Sequence, residues 1–219
     1  MSHPDRRRFL GSLGVAAAAT TLPPFVGQLE AATPTPGFAA TDWDLEWVKD
    51  VGKARHKQVF DMGSVEAGLH VPTNYLDAFE DVMKLKRGEV LAVIGIASNA
   101  FPMNASDALW AKFPLGERWK VTDPDTGTWA ARNLFAADPA PKDFRAKDTI
   151  ATLVARGTIF WQCHNALMGL SRRMAPAGTS TEAMYEELKA GLLPHVKIVP
   201  AHTMLIGLVQ EHGCTYEKI

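Results

Sequence analysis

The chain has 219 residues, with 23 basic against 24 acidic side chains. That near-neutral balance argues against a nucleic-acid binder, because phosphate contacts need a basic face. Cys163 and Cys214 are its two cysteines, so a disulfide framework does not hold the fold.

The chain opens on Asp5-Arg6-Arg7-Arg8-Phe9-Leu10, followed by an apolar run from Leu10 to Leu22 and small residues around Ala31 and Ala32. This is the layout of an export signal, and the Arg pair before Phe9-Leu10 resembles the twin-arginine type, whose cargo crosses already folded. The apolar run is shorter than the ~20 residues of a membrane span, and Pro23-Pro24 interrupts it. No later stretch is long and apolar enough to span. Residues 1–31 are therefore expected to be a signal peptide of a periplasmic protein, and residues 32–41 a Pro/Thr/Ala linker. The remaining 42–219 are long enough for one domain with a sizeable core.

From Lys57 onward, short β-branched runs alternate with amphipathic segments, the pattern of a parallel sheet covered by helices. The first strand is predicted at Lys57 to Asp61. Pro72-Thr73-Asn74 starts a helix with Tyr75, Phe79, Val82 and Met83 on one face, and Val90 to Ile96 is apolar on both faces, as in a central strand. Residues 111–147 form a long insertion carrying Trp119, Trp129 and the turn Asp123-Pro124-Asp125-Thr126-Gly127, directly after Trp110. An insertion of that length suits a functional loop or an oligomer arm. Its tryptophans either meet a neighbouring subunit or cap the domain's own core.

A helix over Asp148 to Arg156 closes at Gly157, before the strand Thr158 to Cys163 and the helix Ala166 to Met174. Thr179 and Glu182 suggest a capping box for a helix that stops at Gly191. The strand Val196 to Val199, the helix Thr203 to His212 and the strand Cys214 to Ile219 follow. Five strands with intervening helices make a three-layer α/β domain.

In a parallel sheet the C-terminal strand ends form the ligand edge, where helix N-termini present free N–H groups. Asp61, Ser64, Ser98, Asn99, Cys163, His164, Asn165, His202 and Thr203 fall there. Cys163 lies between a strand end and a helix start, where the helix dipole favours thiolate. The opposing reading is a buried, inert thiol, and position alone does not separate the two. Cys214 opens the last strand at the opposite edge. A strand of five or six residues spans ~17 Å, whereas a disulfide needs Cα atoms within roughly 7 Å, so the two are expected unpaired, with Cys214 filling the core.

His164 and His202 suit acid/base, ligand or anchoring roles. His195 faces the wrong edge and His212 ends a helix. No metal spacing, haem-attachment motif, phosphate loop or nucleophile elbow occurs, so no cofactor is named. The Asp123 to Gly127 segment lacks a calcium loop's ligand series and reads as a turn.

Leu153, Gly157, the strand ending in Cys163, Ala166-Leu167, Val199-Pro200-Ala201, Leu208-Val209-Gln210 and Gly213-x-x-Tyr216 together resemble the DsrE/DsrF-like sulfur-relay superfamily. The resemblance covers Asp148 to Ile219 well and Lys57 to Ile96 loosely, and leaves the insertion unexplained. It implies a flavodoxin-like five-stranded parallel sheet and a homo-oligomer, trimeric or hexameric. It also implies a cysteine at the third strand's end, here Cys163, that carries persulfide sulfur between a donor and an acceptor protein.

Two functional readings follow. One is an exported sulfur carrier using Cys163, with His164, Asn165 and His202 shaping its pocket, and Asn99 and Asp61 nearby. The other is a non-catalytic oligomeric periplasmic protein that binds a small ligand, metal or cofactor at the same edge.

Overall fold

The computed structural model describes residues 43–136 and 140–219. The expected signal peptide and linker, residues 1–41, lie outside the described residues. No helix among the described residues is long and apolar enough to cross a membrane.

Five strands build one all-parallel sheet: β1 (His56–Met62), β2 (Val90–Ile96), β3 (Ile159–Cys163), β4 (Val196–Val199) and β5 (Thr215–Lys218), in the order β4-β3-β2-β1-β5. Alternation along each strand assigns its two faces. Phe60, Met62, Val90, Ala92, Ile94, Ile96 and Phe160 point into one core, and Val59, Val93, Trp161 and Val199 into the other. The first core is covered by α2 (His70–Met83), α6 (Ile150–Ala155), α7 (His164–Met174) and α8 (Thr181–Ala190). The second is covered by α1 (Trp47–Val51) and α9 (His202–Glu211). This is a three-layer, flavodoxin-like α/β arrangement, although its strand order differs from the 2-1-3-4-5 of flavodoxin itself.

The order has one consequence for placement. From β1 to β4 the chain moves steadily across the sheet with its crossovers on one face. It then returns to β5 beside β1, with α9 on the other face. Helices α7 and α9, which follow the adjacent strands β3 and β4, therefore depart to opposite sides. A crevice at that kind of divergence is where α/β sheets place ligands.

Local signals account for most element ends. Thr149 caps α6 by accepting from the Thr152 N–H, and Ser180, one residue past the expected Thr179, caps α8 by accepting from the Ala183 N–H. Helix α2 starts at His70, leaving Pro72 in the first turn, where a missing N–H is tolerated. Its apolar stripe is corrected by the structure. The buried side holds Pro72, Thr73 and Leu76, whereas Val82 is 79% and Met83 47% exposed. Rotation toward Leu76 leaves the last turn's apolar side chains in solvent.

The insertion packs on its own domain. Three short helices, α3 (Phe101–Asn104), α4 (Asp107–Lys112) and α5 (Leu115–Trp119), lead into it. Asn133 pins it by donating to the carbonyls of Met103 at 2.8 Å and Ala105 at 2.7 Å. Gly116 is needed here, since a Cβ would run into the backbone of Ala130. Trp110 is fully buried, donating to the Pro102 carbonyl at 2.9 Å. It belongs to this domain's core and is unavailable to a neighbouring subunit, whereas Trp129 is exposed. The Asp123 to Gly127 turn is clipped by Arg132, which reaches Asp123 at 2.7 Å and Asp125 at 2.5 Å.

Candidate functional site

Asp61 stands near the end of β1 on the α9 face, and His202 opens α9. The His202 Nε2 and the Asp61 Oδ1 are 2.8 Å apart. On the ring's other side, the Trp161 indole N–H donates to Nδ1 at 3.1 Å. An indole only donates, so Nδ1 is the acceptor and Nε2 carries the proton given to Asp61. The Tyr216 hydroxyl on β5 donates to the second Asp61 oxygen at 2.8 Å. That hydrogen bond to the carboxylate raises the Tyr216 pKa above the usual phenol value. Trp161 and Tyr216 are the two functional partners that sequence reasoning missed. Trp161 is legible only as an alternating strand residue, and Tyr216 only once β5 is known to lie beside β1.

This cluster opens onto two concavities. One, of about 310 Å³, is lined by Asp61, His202, Thr203, Ile206, Gln210 and Tyr216. The second, of about 170 Å³, includes Asp61, His202, Ser98, Asn99 and Lys218. Ser98 and Asn99 also wall a third, of about 330 Å³, with Arg118, Trp119, Leu170, Arg173 and Met174. The second shares Asp61 and His202 with the first and Ser98 and Asn99 with the third, so the three sit in a row along the C-terminal sheet edge as a segmented groove. Trp119 is held there by donating its indole N–H to the Asn99 carbonyl at 2.8 Å.

Cys163 sits at the divergence of α7 and α9. Its sulfur accepts the Ala166 N–H at 3.4 Å and the His202 N–H at 3.3 Å, so it serves as the N-cap of α7 and ties the starts of both helices together. It is only 4% exposed and is not among the residues lining the groove. Of the two positions open to it from the sequence, the structure shows the buried one: two chain segments that each deliver an N–H to the sulfur also close over it. Cys214 is buried with Trp47 and Val209 in the core under α9, both cysteines are free, and burial pushes the Cys214 thiol up to about 11.

The remaining candidates divide. His164, on α7, is buried and shares a 2.8 Å hydrogen bond through Nδ1 with the Tyr185 hydroxyl on α8. Burial, and then the Lys189 charge, hold its pKa below the ordinary histidine value. It does not line the groove. Asn165 is exposed and bridges the two loops by donating its backbone N–H to the Pro200 carbonyl at 3.4 Å. Ser64 is engaged with Glu66. The structure thus brings Asp61, His202 and Asn99 to one groove, puts Cys163 beneath its wall, and sends His164 to the α7–α8 contact.

No family model matches the chain, and no curated protein matches it. Among solved structures, a protein of unknown function from Methanobacterium thermoautotrophicum is similar, with a TM-score of 0.40 and 14% identity over 75% of this chain and 99% of that one.

Proposed function

We propose that this chain is a binding protein that holds a small ligand in the groove along the C-terminal edge of its sheet. The observation that carries this reading is the Asp61–His202 pair. It faces two of the joined concavities and is fixed from behind by Trp161 and from the side by Tyr216. A polar pair whose orientation is set before a ligand arrives keeps the ordering cost of binding low. The twin-arginine-like N-terminus adds periplasmic export to the proposal, and the resemblance to DsrE/DsrF-like proteins adds a trimeric or hexameric homo-oligomer.

Native mass spectrometry of protein purified from its own compartment tests the binding reading. A retained small molecule that is lost in Asp61→Asn supports it. Bare protein, together with no thermal shift on adding small-molecule extracts, overturns it. Light scattering at micromolar concentration tests the oligomer, and a monomer removes it.

One observation favours a second reading, sulfur carriage at Cys163. Two backbone N–H groups from two helix starts converge on the sulfur, and such donors stabilise negative charge there. Intact-mass measurement of the same preparation decides: the mass of one extra sulfur on Cys163, absent in Cys163→Ser, supports carriage, and its absence removes it.

A further inference from the structure

We propose that the part of the groove between Arg118 and Arg173 takes an amphipathic organic anion, a small molecule with one carboxylate or phosphate group on an apolar body. This rests on the reading of the sheet edge as a ligand site and names the class of ligand. Two arginines line one cavity of about 330 Å³ from different elements, Arg118 from the end of α5 and Arg173 from the end of α7.

Unpaired arginines are common among the described residues, Arg55, Arg87 and Arg172 included, so what sets Arg118 and Arg173 apart is the cavity they share. Arg132, Arg145 and Arg156 each meet at least one carboxylate. Arg118 and Arg173 meet none among the described residues, and no acidic side chain lines their cavity. A place in the last turn of a helix explains a single positive charge, because it complements the helix dipole. It does not explain two charges from separate helices converging on one concavity without a counter-ion. Guanidinium forks match the planar or tetrahedral oxygens of carboxylate and phosphate, and bind them through paired charge-assisted hydrogen bonds.

The other walls specify the rest of the ligand. Trp119, Leu170 and Met174 form an apolar side, and the bond from the Trp119 indole to the Asn99 carbonyl fixes the ring while using up its only donor. The tryptophan therefore offers apolar surface to an occupant and no hydrogen bond. Ser98 supplies a neutral polar group between the two walls.

Calorimetric titration of the purified protein tests this with four probes: phenyl phosphate, benzoate, inorganic phosphate and benzyl alcohol. We expect saturable binding of phenyl phosphate or benzoate, and the stronger of the two identifies the head group. Inorganic phosphate, lacking the apolar body, binds at least about tenfold more weakly, and benzyl alcohol, lacking the charge, does not bind. Arg118→Ala and Arg173→Ala each weaken the bound probe by about tenfold or more. Arg172→Ala, at the exposed neighbour outside the cavity, leaves it unchanged, which separates the site from a general loss of surface charge.

The proposal is overturned if neither organic anion binds at millimolar concentration, if inorganic phosphate binds as well as phenyl phosphate, or if both arginine variants bind like the wild type. A neutral or cationic molecule retained natively in an Asp61-dependent way overturns this assignment while the binding reading stands. Failure of that native-ligand test with these titrations intact removes the Asp61–His202 pair as the anchor and leaves the arginine cavity as the ligand site of the sheet edge.

Discussion

Gly95 stands opposite Trp161 in the β2–β3 ladder, and a Cβ on it would collide with the indole ring and lie 2.9 Å from the His202 Cε1. The missing side chain is what lets the indole and the imidazole lie against the sheet at the positions from which they reach each other and Asp61. We expect Gly95→Ala to destabilise the domain by about 1–3 kcal/mol through overpacking and to displace His202. Urea denaturation and ligand titration check the two effects. An unchanged midpoint would mean the rings have room that the geometry denies.

Trp161→Phe keeps an aromatic ring in the core but removes the N–H that the His202 Nδ1 accepts. The expected result is a His202 that is Nε2-protonated in both proteins, because the Asp61 carboxylate only accepts, with the Nδ1 shift changed in the variant, read from imidazole nitrogen shifts by NMR. Loss of the hydrogen bond itself costs about 1 kcal/mol. A mixture of tautomers in the variant would assign tautomer control to the indole.

Arg132→Ala removes the guanidinium that clips Asp123 and Asp125. The hydrogen bond from Arg132 holds the Asp123 carboxyl below its ordinary value of 3.8. A depressed carboxyl contributes stability that is present above its unfolded pKa and is lost as pH falls through the folded value. The gap between wild type and variant should therefore be full at neutral pH, about 1–3 kcal/mol with a nearly buried carboxylate left unpaired. It should close at strongly acidic pH. Urea midpoints at pH 7 and below pH 3 give the comparison, and a gap independent of pH would assign the loss to packing.

Alkaline stability should depend on a buried and a partly buried acid, Cys214 in the core under α9 and Tyr75 of α2 against the other core. Burial raises the Cys214 thiol from 9.0 to about 11, and the Tyr75 phenol from 10.0 to about 12. Raised folded values favour the neutral forms, so this stability is fully present below pH 9 and is lost as pH climbs through 11. The urea midpoint should fall over that window, and less steeply in Cys214→Ala, where one of the two groups is gone. Equal slopes would exclude Cys214 as the source. In the same experiments neither cysteine should react with a thiol reagent until the chain unfolds, since both are buried.

The central strands are legible in the sequence because they are short apolar runs between strong breakers, whereas the exposed β5 is legible only from its place after the break at Gly213. Val90 to Ile96 and Val196 to Val199 agree residue for residue, and the other three differ by a residue at one or both ends, where the ladder hydrogen bonds begin or stop off the expected position. The helices α3, α4 and α5 are not legible. At four to six residues, none is long enough to show a 3.6-residue period. Periodicity locates the buried side of α2 only in part: Tyr75 and Phe79 pack partly buried against the core beside Leu76, whereas Val82 and Met83 of the same stripe are exposed. For the site, strand-end position collects Asp61, Asn99 and His202 correctly, because chain direction in a parallel sheet fixes which ends share an edge. It does not show that Cys163 is covered, or that His164 pairs with Tyr185, since both depend on how the helices leave the strands. Arg118 and Arg173 escape it because neither lies at a strand end.

Asp61 and Tyr216 are 155 positions apart in the chain, and β5 joins the sheet next to β1, the first strand made. Until that pairing closes, β1 keeps one bare edge, able to recruit any extended segment nearby. Contacts of such long separation are slow to form. On the binding proposal, competence to bind arrives at the end of folding, together with the repair of the edge most prone to aggregate. A population of chains that holds ligand is by the same token a population that has finished folding, so ligand occupancy doubles as a measure of conformational maturity.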